Sequence, residues 1–88
     1  RERKMVKRFK KGKPYTLCMI YVIDERNFSE IVRNVTFKER LGDILEFDAI
    51  EYTYTVDESL RMVICEPKEG NEKQLTFHLT NIVQGWQF

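Results

Sequence analysis

The chain has 88 residues, 15 Lys or Arg against 14 Asp or Glu, and a formal net charge of +1. A chain this short makes one domain around one core, with little room for a substrate pocket, a catalytic constellation and a cofactor site together. An apolar content of 42% excludes disorder of the whole chain.

The charge is unevenly distributed. Residues 1–13, RERKMVKRFKKGK, carry eight basic residues and one acidic, whereas residues 14–88 carry seven basic and thirteen acidic. The first stretch is expected to be a flexible basic arm, solvated because of its charge density. Its apolar residues Met5, Val6 and Phe9 fall at i, i+1 and i+4, and Gly12 and Pro14 would end any short helix there. The remaining 14–88 are expected to fold as a single β-rich domain.

Residues 15–23, YTLCMIYVI, are β-branched and aromatic on both alternations. That composition predicts a central strand buried on two sides, followed by a polar turn at Asp24–Asn27. This run is also the longest apolar stretch, well short of the ~20 residues that span a bilayer, so no membrane helix is expected. The basic N-terminus lacks a following apolar segment of signal-peptide type, which makes the cytoplasm the expected compartment. Because the chain opens on Arg, the sequence leaves open whether residues precede Arg1.

Residues 28–42, FSEIVRNVTFKERLG, read two ways. As a helix, Phe28, Ile31, Val32 and Val35 share a face and Asn27 with Glu30 resembles a capping box. The apolar stripe then slips, because Phe37, Leu41, Ile44 and Leu45 mark a different face. As a strand, Ile31, Val35 and Phe37 point inward with Arg33 among them. The preferred reading is a hairpin partner for the first strand, then a helical turn at Lys38–Leu41. The alternative is an α+β fold with a helix at about 28–41.

Beyond Gly42–Asp43, Ile50, Tyr52, Tyr54 and Val56 alternate with Glu51, Thr53, Thr55 and Asp57, predicting a half-buried strand with one wet face. LRMVICEP returns and is stopped by Pro67; QLTFHL alternates again after the Gly70 turn. The stretch LGDILEFDAI (41–50) is similar to the opening strand of many small barrels, including Sm-like, SH3-like and AbrB-type domains. It spans ten residues and carries over no functional position. The expected fold is therefore mainly β: a small antiparallel barrel or rolled sheet of four to five strands with one or two short helical turns.

Little in the sequence points to catalysis. Cys18 and Cys65 lie in apolar strand runs outside any CxxC pair and are expected as free thiols, although adjacent strands would permit a disulfide. The lone His78 alternates with inward residues and is expected on a wet face. Carboxylates occur singly, and the glycines form no phosphate-binding pattern. No catalytic residue, metal or cofactor site and no small-molecule substrate is expected.

Two features suggest binding. Arg1, Arg3, Lys4, Lys7, Arg8, Lys10, Lys11 and Lys13 can neutralise phosphates, with Phe9 available for stacking on a base. Alternatively, the positive arm lies on the acidic body. Trp86 and Phe88 form an aromatic tail, either folded back to close the barrel or exposed as an interface anchor. The leading expectation is a non-enzymatic binding or regulatory module that touches nucleic acid through the arm. The competing one is a protein-interaction or assembly module, with a hetero-partner or a second copy, using sheet edges and the tail.

Overall fold

The computed structural model describes residues 5–87. Six strands follow one another: β1 (Pro14–Val22), β2 (Phe28–Leu41), β3 (Ile44–Asp48), β4 (Tyr52–Asp57), β5 (Met62–Pro67) and β6 (Leu75–Gln84). Each pairs antiparallel with the next, and β6 returns to pair with β1, closing a barrel. The expected β class and small antiparallel barrel are present. The strand count of four to five and the helical turns are corrected to six strands and no helix among the described residues.

Each difference has a local cause. Residues 28–41 form one 14-residue strand, and neither the helix nor the helical turn at Lys38–Leu41 forms. The apolar slip that argued against one regular element is a β-bulge between Phe37 and Glu39, which resets the alternation. The expected single strand after Gly42 is two strands, β3 and β4. They are joined by a turn closed by Ala49 N–H on the Tyr52 carbonyl at 3.0 Å, with no Gly or Pro to announce it. Ile50, expected inward, lies in that turn and is 94% exposed. The β2–β3 turn was legible: Leu41 pairs with Ile44, and Gly42 has a φ of +63°, as the first turn residue of a type II′ hairpin requires.

The interior is filled from all six strands. Leu17, Leu45, Phe47, Val56, Val63 and Ile82 are fully buried, with Met19, Val35, Tyr54, Phe77 and Leu79 beside them. Both cysteines are free thiols, Cys65 buried and Cys18 half-buried. Burial pushes both thiols up from their ordinary range. His78 is exposed, as its alternation implies.

Residues 5–13 are laid against the barrel instead of projecting from it as a solvated arm. Met5, Val6 and Phe9 pack on the core cluster. Val6 N–H bonds the Ile82 carbonyl at 3.0 Å, on the part of β6 that β5 does not reach. Gly12 N–H bonds the Phe37 carbonyl at 2.9 Å, and Phe37 N–H bonds the Lys13 carbonyl at 3.1 Å. The segment thus bridges β6 to β2. Apolar burial and backbone pairing outweigh the solvation of the intervening cations, whose long stems keep their charged heads in water. Residues 1–4 lie outside the described residues.

Candidate functional site

The docked segment becomes a ridge of cations on a fixed backbone. Lys7, Arg8, Lys10, Lys11 and Lys13 are all exposed. The two ion pairs among the described residues, Arg40–Glu58 at 2.6 Å and Lys68–Asp48 at 2.8 Å, involve none of them. Apolar contacts and backbone bonds hold the segment in place. Arg1, Arg3 and Lys4 fall outside the described residues.

Phe9 is the pivot of the ridge. Its ring centroid lies 5.1 Å from Tyr15, 5.3 Å from Phe37 and 5.6 Å from Phe47. The Arg40 guanidinium stands 5.9 Å above it, and Arg40 also donates to the Lys7 carbonyl at 3.3 Å. Tyr15 adds a hydroxyl that accepts from Lys10 N–H at 2.8 Å. Phe9 therefore packs with the core while remaining partly exposed.

The chain end forms a second docked segment. Thr16 and Asn34 alternate with the inward Leu17 and Val35, so they face outward on neighbouring strands. The residues after β6 cross over them. The Thr16 hydroxyl donates to the Gly85 carbonyl at 2.7 Å. The Asn34 side-chain amide donates to the Gln87 carbonyl at 2.8 Å and accepts from Gln87 N–H at 3.0 Å, acting as a peptide group would. Thr16 is fully buried beneath this crossing, so β1 is covered on both faces near its start, whereas Tyr21, Val22 and Ile23, also expected to be buried, are exposed. Trp86 donates its Nε1–H to the Val35 carbonyl at 2.9 Å yet remains 54% exposed. The tail does fold back, but across the sheet's outer face, and it leaves the indole accessible. Phe88 lies outside the described residues.

Asn34→Ala is expected to cost about 1–2 kcal/mol, because it leaves the Gln87 carbonyl without its donor and Gln87 N–H with only the Thr16 hydroxyl. Trp86 is the sole tryptophan, so its fluorescence reports the same event. A red shift in the folded variant is the expected sign of a released tail; an unchanged spectrum and stability would show that the crossing does not depend on Asn34.

Between the ridge, β2 and the β3–β4 turn lies an open groove of about 1000 Å³. Lys11 contributes from the ridge, Arg33 and Lys38 from β2, Glu51 and Tyr52 from the turn, and Trp86 from the tail. Asp48 and Lys68 also reach it but neutralise each other. Tyr54 forms part of its floor; burial pushes this phenol up to about 12, reinforced by Cys65 and opposed by the Arg33 guanidinium. Arg33, Lys38 and Tyr52 were not selected from sequence. The available signal was Arg33 itself, the charge that interrupts the inward series Ile31, Val35, Phe37. Among the described residues no three His, Cys, Asp or Glu side chains gather as a metal site, and no helix is long and apolar enough to cross a membrane.

No protein-family model, no curated protein and no solved structure matches this chain.

Proposed function

We propose that the chain is a small non-enzymatic binding module that holds nucleic-acid phosphates on the cations of residues 7–13. The carrying observation is the ridge itself: Lys7, Arg8, Lys10, Lys11 and Lys13 are exposed on a backbone pinned by Phe9 and by bonds to β2 and β6. Fixed cations meet a polyanion with less ordering cost than a free arm would. Arg1, Arg3 and Lys4 would extend the run. A cytoplasmic setting belongs to this reading, since a reducing compartment suits two free cysteines.

Deleting residues 1–13 is a poor test, because it would also remove part of the core. Replacing the five cations by Gln preserves Phe9. Single-stranded and duplex oligonucleotides are titrated at several salt concentrations. At roughly one unit of log–log salt slope per neutralised phosphate, the Gln variant is expected to show a slope shallower than the wild type's by about 3 to 5 units, with Arg1, Arg3 and Lys4 left to carry the remainder. Absence of wild-type binding at low salt would sink the proposal.

A second reading, protein interaction or assembly, is favoured by the exposed but anchored Trp86. Its indole is oriented before any partner arrives, as interface anchors commonly are. Sedimentation of wild type and Trp86→Ala tests self-association: a monomer in both would exclude the second copy.

A further inference from the structure

We propose that the side of β2 turned away from β1 is a docking edge for an extended acidic strand of a partner protein. This deepens the interaction reading and does not depend on nucleic-acid binding.

The argument begins with backbone hydrogen bonds. β1 and β2 keep one register from Pro14↔Thr36 to Val22↔Phe28, with no shift. Phe37 continues it by bonding the Lys13 carbonyl. In an antiparallel ladder, alternate residues turn both N–H and C=O to the same side. The odd residues Phe37, Val35, Arg33 and Ile31 therefore face β1, and the even ones face away. Thr36 meets β3 there, paired with Asp48, where β3 ends. Among the described residues, no strand pairs with Glu30, Val32 and Asn34 on that side. The Arg33 guanidinium donates to the Val32 carbonyl at 3.0 Å, so that acceptor is met by a side chain which an added strand would displace.

Such edges recruit strands unless they are blunted. This one has no proline, and its bulge comes only after Phe37. Phe28 and Val32 share a face and are 58% and 50% exposed, so an added strand gains apolar contacts as well as ladder bonds.

Charge selects the partner. The groove adjoins the edge at Arg33 and Asn34 and brings Lys11 and Lys38 alongside. Glu51 and the edge's own Glu30 oppose three cations, with Asp48 already tied to Lys68. A second copy fits less well. Twofold pairing through this edge matches residues of one sheet face, so Glu30 of one copy cannot meet Arg33 of the other, which lies on the opposite face.

The probe is an end-blocked octapeptide of alternating Val and Glu, compared with its Val–Lys counterpart. Binding is followed by amide hydrogen exchange. The Val–Glu peptide is expected to bind saturably and to slow exchange at Glu30, Val32 and Asn34, while Ile31 and Arg33, already bonded to β1, change little. Val32→Pro removes one edge donor and should weaken binding at least about tenfold while the fold and oligonucleotide binding persist. Arg33→Glu should shift preference toward the Val–Lys peptide, which keeps the test alive if the proline variant does not fold. Three results would overturn the proposal: equal binding of both peptides, no added protection at the three even-numbered amides, or protection that instead tracks dimerisation or a bound oligonucleotide. Trp86→Ala leaves the edge intact, so failure of the broader interaction reading is separable from failure of this one.

Discussion

Phe9→Ala is expected to lower unfolding stability by about 2–4 kcal/mol, read as a fall in the urea midpoint. The value sits around the lower part of the range for burying and then truncating an aromatic, because Phe9 is only partly covered. The ring closes a cluster with Tyr15, Phe37 and Phe47, and the guanidinium of Arg40 rests on it. Truncation removes all four contacts at once. For a domain of this size the loss corresponds to roughly 10–25 °C in Tm. Phe9→Leu keeps much of the volume and should cost about half as much. The same variant tests how the cations are presented. With Phe9 gone, residues 7–13 lose their anchor, and oligonucleotide affinity should fall although no charge has changed. A stability loss below about 0.5 kcal/mol would show that the segment is not part of the core.

Tyr54 should make the protein sensitive to alkali. Its phenol is held neutral in the barrel up to about 12, against about 10 in an unfolded chain. Between these values the unfolded state releases a proton that the native state retains, so unfolding is favoured as pH rises. The contribution is fully present below pH ~10, and about 2–3 kcal/mol of it is lost by pH ~12. Tyr54→Phe cannot ionise there. Its urea midpoint should therefore decline less steeply over that window than the wild-type midpoint. Tyr52, whose phenol is also raised, chiefly by Glu72, is common to both proteins and cancels in the comparison. Parallel curves for wild type and variant would show that Tyr54 ionises without unfolding the barrel.

The candidate site was only partly legible. The basic residues of 7–13 announce themselves by composition, and the structure leaves them exposed. The seating of Phe9 was not legible, because sequence shows its charged neighbours but not the rings of Tyr15, Phe37 and Phe47 that receive it. Arg33 looked like a flaw in an alternating strand. It stands at the edge of a groove because β3 ends opposite Thr36, which depends on where the chain turns at Asp48–Tyr52. That turn lacks Gly and Pro, so the chain runs from one strand to the next with no local mark.

The amino-acid order alone was sufficient for the β class and for most of the inward positions. Alternation at Tyr52–Val56 and Phe77–Leu79, and the Gly42–Asp43 turn, are local patterns whose meaning needs no distant partner. Closure of the barrel, the seating of residues 5–13 and the covered hydroxyl of Thr16 needed the fold. Each rests on groups remote in sequence: Val6 with Ile82, Gly12 with Phe37, Asn34 with Gln87. The vacant side of β2 belongs with them, since an edge is defined by the strand that fails to reach it. The net charge of +1 conceals the same division. Composition separates a basic segment from an acidic body, but apolar burial of Met5, Val6 and Phe9 holds the two together with the cations facing water.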